Sequence, residues 1–144
     1  TKPLAIGDRL NTDHVGARAA GIPGLHVLTG VSGAREVITA AATERPSFLH
    51  TDLRGLTEPH PAPVRVVREG QEWWQVGGRC ARVVDSGLEL DGVGTVTSQT
   101  GGPVRIDLDS YRALAVAAWA WADAQVARGE AAALELPEIE VIEP

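Results

Sequence analysis

The chain has 144 residues, is 44% hydrophobic and carries a formal charge of −6, which sets it among globular proteins and against wholesale disorder. No basic cluster is present to neutralise nucleic-acid phosphates or anionic lipid headgroups, so neither is expected as a partner. No apolar run reaches the roughly 20 residues of a spanning helix. A single cysteine, Cys80, excludes an internal disulfide framework and suits a cytoplasmic location. It lies in an alternating apolar–polar stretch and reads as a packed thiol rather than a nucleophile. The sequence lacks methionine even at position 1, and an apolar run follows at once, so a segment preceding Thr1 is expected.

Residues 1–57 alternate short apolar runs with helical patterns. Leu4-Ala5-Ile6 ends in Gly7-Asp8. Residues 12–20 read as a helix, with Asn11 or Thr12 as its cap and Gly21 at its end. His26-Val27-Leu28-Thr29 is a second run, stopped by Gly30. Ser32 is the expected cap of a helix over 33–43, which Arg45-Pro46 ends, and 47–50 is a third run. Strand, helix, strand, helix, strand is the grammar of parallel βαβ units, whose strands are continuous in apolarity because both faces are buried. Residues 58–63 hold three prolines at alternate positions and read as a stiff linker.

From Val64 the grammar changes. Residues 64–68, 72–76, 79–84 and 93–98 read as antiparallel strands, separated by Glu69-Gly70, Gly77-Gly78 and Asp91-Gly92 turns. A helix over about 110–127, capped by Asp109 or Ser110 and stopped near Gly129, places Tyr111, Leu114, Ala115, Ala118, Trp121 and Ala122 on one face. Residues 138–142 read as a last strand. Trp73 and Trp74 are adjacent on a strand and must face opposite sides, so at most one is core. Trp119 and Trp121 likewise diverge around the helix. The fold class expected is a partial Rossmann-like α/β segment over 1–57 and a small α+β domain over 64–144.

The stretch with most chemistry is Gly7-Asp8-Arg9-Leu10-Asn11-Thr12-Asp13. A parallel strand delivers Asp8 at its C-terminal end, where open α/β sheets bind ligands, and Asp13 follows at a helix start. Two carboxylates on one loop supply part of a site for a hard divalent ion. The alternative is that Asp13 only favours a helix N-terminus and Asp8 closes a turn. Asp107-Leu108-Asp109 has the same acidic density but reads as a helix cap. His14, His26, His50 and His60 are scattered and form no metal set. His26 reads as structural and His50 as a residue that borders the crevice at most.

Gly7-Asp8-x-x-x-Thr12-Asp13 resembles the fourth motif of the haloacid dehalogenase superfamily in its NagD-like, para-nitrophenylphosphatase-like branch. Gly16-Ala17, Ala20-Gly21, Val27-Leu28-Thr29-Gly30-Val31 and Arg45-Pro46 are similar to that branch too, over residues 3–56. The resemblance implies that Asp8 ligates Mg²⁺ directly and that Asp13 supports the site. Gly7, Asn11 and Thr12 are implied to shape the loop. His14 departs from the family's usual apolar residue, either as a solvent-facing side chain or as one that alters the site. The family's aspartyl nucleophile, its acid/base and its phosphate-holding groups precede this motif, so none is expected in this chain. The implied parent hydrolyses small phosphate monoesters, with glycerol phosphate a candidate. The upstream half of the same polypeptide is the implied partner, or else a second copy of the chain in a homodimer. Residues 64–144 resemble an acetyltransferase-like (GNAT-like) domain in size and in strand-then-helix order. The Gly-rich pyrophosphate turn of that family is missing: Gln99-Thr100-Gly101-Gly102-Pro103 has the wrong spacing, so no cofactor site is expected there. A ligand-binding or dimerisation module without chemistry is the alternative function for the chain.

Overall fold

A computed structural model describes residues 2–96 and 103–142. The chain divides into two compact units, Thr1–His60 and Pro61–Pro144. In the first, strands β1 (Ala5–Gly7), β2 (Gly24–Val27) and β3 (Phe48–His50) form a parallel sheet in the order β1-β2-β3. Ile6 pairs with Leu25, and His26 with Leu49. Because all three strands are parallel, the loops that follow them leave from one edge of the sheet. The central strand β2 is buried throughout, with Leu25 and His26 at 0% exposure. Strand β1 lies at the sheet's edge and leaves Leu4 and Ile6 exposed.

The helix expected over 12–20 is two pieces. A wide π-type turn, Leu10–His14, runs into α1 (Val15–Ala19) and ends at Gly21, whose φ is 71°. Within this wider turn the Asp13 carboxylate folds back onto the amides of Asp8 and Arg9. The second helix, α2 (Ala34–Ile38), is shorter than the 33–43 expected, and a 3₁₀ turn follows at Ala42–Glu44. Its cap is Gly33 and not Ser32. The Gly33 N–H donates to the Glu36 carboxylate at 3.4 Å, while the Ser32 hydroxyl accepts from the Leu10 amide at 3.2 Å. The C-terminal end of β3 is closed by a further 3₁₀ turn, Leu53–Leu56, capped by Asp52. Hydrogen bonds from Arg54 hold the exposed Asp52 carboxyl down at about 2.

In the second unit, β4 (Val64–Arg68), β5 (Gln71–Val76), β6 (Arg79–Val84), β7 (Gly87–Leu90) and β8 (Gly94–Val96) form an antiparallel meander in that order. Strand β7 is additional to the strands expected from the sequence. The Asp85-Ser86 turn before it is tight, with Asp85 at φ 57°, and carries one of the short polar side chains that tolerate the left-handed region. The expected strand over 93–98 is β8 as far as Val96; residues 97–102, with most of the Gly-rich stretch, lie outside the described residues. Strands β9 (Val104–Ile106) and β10 (Ile139–Val141) form a separate parallel pair.

Helix α3 (Leu108–Ala127) packs across β5, β6 and β7. It buries Tyr111, Leu114, Ala115 and Ala118, while Trp121 and Ala122 near its far end are only half-buried. The helix starts two residues earlier than its sequence pattern implies, because Asp107 is the cap. Its carboxylate accepts the Ser110 amide at 2.9 Å, and Arg79 forks onto it through Nε and Nη2 at 2.9 and 2.8 Å. Partial burial opposes ionisation of Asp107, but the bonds from Ser110 and Arg79 outweigh it and hold the carboxyl below its usual range. Asp109 sits against Gly77, where a Cβ would stand 2.2 Å from its Oδ2, and pairs with Arg112 at 3.1 Å. Asp107-Leu108-Asp109 is thus a capping device, as its sequence context suggested. Trp73 is buried and Trp74 half-buried on opposite faces of β5; Arg68 and Arg82 lie over the Trp73 ring at 4.7 and 4.8 Å.

Asp107→Ala removes both the cap and the acceptor of the Arg79 fork, and is expected to cost about 1–2 kcal/mol in urea unfolding. A loss below about 0.5 kcal/mol contradicts the assigned cap.

Candidate metal centre

The loops after β1 and β2 meet over Asp8. Asp8 is half-buried, and its Oδ2 accepts the Val31 amide at 3.2 Å. The backbone is joined as well: the Ser32 amide donates to the Asp8 carbonyl at 2.8 Å. Gly30 is the reason the loop approaches so closely. A Cβ there would lie 1.5 Å from Asp8 Oδ2, so no other residue fits without displacing the carboxylate.

Asp13 plays a different part. Its Oδ2 accepts the amides of Asp8 and Arg9, both at 3.2 Å. A Cβ at Gly7 would fall 2.4 Å from that same oxygen. Asp13 is therefore folded onto the backbone of the loop that presents Asp8. Asn11 and Thr12 are exposed, and neither side chain hydrogen-bonds among the described residues. Arg9, Asn11, Val31, Ser32, Glu36 and Thr39 are among the residues that line an open cleft of about 770 Å³.

The histidines are not scattered. His14 and His26 are 1% and 0% exposed, and their rings meet with His26 Nδ1 3.0 Å from His14 Nε2. His14 is neither solvent-facing nor alone. His26 Nε2 lies 2.9 Å from the Ser32 carbonyl, and His14 Nε2 lies 3.3 Å from the Gly7 carbonyl. A carbonyl only accepts, so His26 carries its proton on Nε2 and takes the His14 Nε2–H on Nδ1. The remaining His14 Nδ1 has no hydrogen-bond partner and faces Gly24, where a Cβ would approach to 2.7 Å. His50 is fully buried at the end of β3. Its Nδ1 accepts the amides of Thr51 and Asp52, and its Nε2–H donates to Glu58 at 2.6 Å. It fastens the end of the first unit and does not line the Asp8 loop. Among the described residues no group of three or more His, Cys, Asp and Glu is arranged to hold a metal ion.

Chemically, the Asp8 loop offers one oriented carboxylate with a second carboxylate locking its backbone. Sequence reasoning missed Ser32 and the histidine pair. Ser32 was visible only as a helix-cap signal, and Gly30 as a strand stop within the stretch that carries the resemblance.

Residues 1–56 match the family described as HAD-hydrolase-like. A D-glycerol 3-phosphate phosphatase of Mycobacterium tuberculosis is 42% identical over 86 residues, which is 58% of this chain and 24% of that protein. Two solved structures of a glycerol phosphate phosphatase from that organism, one in complex with magnesium and one with calcium, match with TM-scores of 0.58 and 0.55 at 28% and 29% identity. They cover 97% and 98% of this chain but only 33% and 34% of their own. The chain is thus homologous to that phosphatase and spans about a third of its length in the solved structures.

Gly30→Ala is expected to push the Asp8 carboxylate off the Val31 amide while leaving both units folded. Retention of the Val31 amide shift in a ¹H–¹⁵N spectrum would contradict this geometry. Desolvation holds both His14 and His26 below the ordinary imidazole value of 6.5, outweighing the opposing bonds to the Gly7 and Ser32 carbonyls. The unfolded chain then binds protons that the folded chain does not, so stability is full above pH 6.5 and declines below it. Urea midpoints across pH 5 to 8 check this; the slope is expected to shrink in His14→Leu.

Proposed function

We propose that this chain is the metal-binding, C-terminal part of a Mg²⁺-dependent phosphatase of the haloacid dehalogenase type, acting on a small phosphate monoester such as glycerol phosphate. The observation that carries the reading is the Asp8 loop. A carboxylate stands at the C-terminal end of a parallel strand, fixed by the Val31 amide and admitted by Gly30. Homology to the mycobacterial phosphatase, with magnesium and calcium complexes of a glycerol phosphate phosphatase from the same organism, supports the same chemistry.

The residues present fit a hard divalent ion in part. Mg²⁺ is usually bound through one or two carboxylates plus waters and substrate oxygens, so a single oriented carboxylate with no further protein cage agrees with that ion. Asp8 would ligate it and Asp13 would hold the loop, with Gly7, Asn11 and Thr12 shaping it. When bound, Mg²⁺ would screen the charge of the phosphoryl oxygens and of the attacking carboxylate. The aspartyl nucleophile and its acid/base would come from the upstream half of the same polypeptide. The exposed edge of β1, with Leu4 38% and Ile6 43% exposed, is the place for a further parallel strand.

Finer assignments follow from the same resemblance. The NagD-like branch is supported by Gly7-Asp8-x-x-x-Thr12-Asp13 with Gly30 and Arg45-Pro46. A GNAT-like origin for the second unit is supported by its antiparallel meander with one long helix. One lone cysteine, with no helix among the described residues long and apolar enough to cross a membrane, suits a cytoplasmic enzyme. A second reading, dimerisation through the second unit, is favoured by edge strand β4, where Val64 and Val67 are exposed. Mass that rises with concentration in light scattering separates it from a monomer.

In the polypeptide carrying the upstream half, Asp8→Asn is expected to lower Mg²⁺-dependent hydrolysis of an aryl phosphate by at least about 100-fold, the scale of losing a principal ligand and its charge. Near-normal turnover sinks the metal assignment.

A further inference from the structure

We infer that His14 and His26 are positioning residues: their hydrogen-bonded pair holds the Gly30–Ser32 loop against Asp8 and so sets the orientation of that carboxylate. The inference rests on the reading of Asp8 as the metal ligand for its consequence, and on geometry alone for its mechanism.

Ser32 is the joint. Its amide donates to the Asp8 carbonyl at 2.8 Å, its hydroxyl accepts from the Leu10 amide at 3.2 Å, and its carbonyl accepts from His26 Nε2 at 2.9 Å. The first two bonds join the β1 and β2 loops directly. The third reaches into the sheet, because His26 stands on β2 and pairs with Gly7 across the ladder. From His26 the connection passes to His14 at 3.0 Å, and from His14 to the Gly7 carbonyl at 3.3 Å. The circuit closes one residue before Asp8. Both loops that fix Asp8 are therefore tied to one buried pair of rings, and the amide that orients the carboxylate belongs to Val31, next to Ser32.

A purely space-filling role for the rings accounts less well for the contacts. Three of the four ring nitrogens meet a polar atom in hydrogen-bonding geometry. Groups that orient metal ligands from outside the coordination sphere commonly change affinity on removal.

The test compares the 144-residue chain with His14→Leu, which fills space without donating, and His14→Gln, which keeps a donor at similar reach. The first readout needs no metal: amide hydrogen exchange by NMR. If the pair holds the loop, the Val31 and Ser32 amides of His14→Leu exchange at least about tenfold faster, while those of Val37 and Ile38 in α2 do not, as expected for a local rather than global opening. His14→Gln restores protection. Equal protection of Val31 and Ser32 in all three proteins overturns the inference, and so does loss of protection throughout the first unit in both variants. The second readout is titration with Mg²⁺ alone. His14→Leu is expected to bind roughly tenfold more weakly and His14→Gln within about threefold of the parent. Equal affinity in His14→Leu overturns the consequence for the metal. A Mg²⁺ response that is absent, or unchanged by Asp8→Asn, counts against the metal assignment instead, and the exchange data then decide the pair by themselves.

Discussion

One contact organises the first unit's functional edge: the Val31 amide on the Asp8 carboxylate, made possible by the missing side chain of Gly30. An aspartate at a strand end is free to rotate in water. Here the loop after the neighbouring strand takes one of its oxygens. Every nearby irregularity serves that contact. The π-type turn lets Asp13 reach back to two loop amides, and Gly7 leaves room for it. Ser32, diverted from capping α2, ties the two loops together instead.

This arrangement makes the two aspartates unequal. Asp13 spends its inner oxygen on the Asp8 and Arg9 amides and acts on the loop. Asp8 has a single amide donor among the described residues and retains acceptor capacity. The second unit stands on a different principle. There the acidic pair Asp107 and Asp109 is engaged by a helix start, an arginine fork and a glycine contact.

Much of the fold was legible in the sequence because its signals are local. Continuous apolar runs marked β1 to β3, the first two stopped at Gly7 and Gly30, and Glu69-Gly70, Gly77-Gly78 and Asp91-Gly92 marked three of the meander's turns. Strand β7 escaped because its turn, Asp85-Ser86, lacks a glycine at the positive-φ position. The Asp8 loop was legible as a motif, but its working was not. Which aspartate grips the backbone depends on the π-type turn, and nothing in the spacing of residues 8 to 13 encodes that width. His14 and His26, twelve residues apart, meet only because the π-type turn Leu10–His14 packs against β2, so a search for close sequence pairs passes over them. The diverted Ser32 is the same lesson: its cap signal is real, and a tertiary contact overrides it.

The most direct measurement of the central claim is phosphatase activity of this purified chain beside the same chain extended upstream, with Mg²⁺ and a generic aryl phosphate. Turnover by the extended form alone, lost on Mg²⁺ removal, is the predicted result. Hydrolysis by the 144-residue chain itself, in proportion to its concentration and abolished by Asp8→Asn, would contradict the assignment of the nucleophile to an upstream segment.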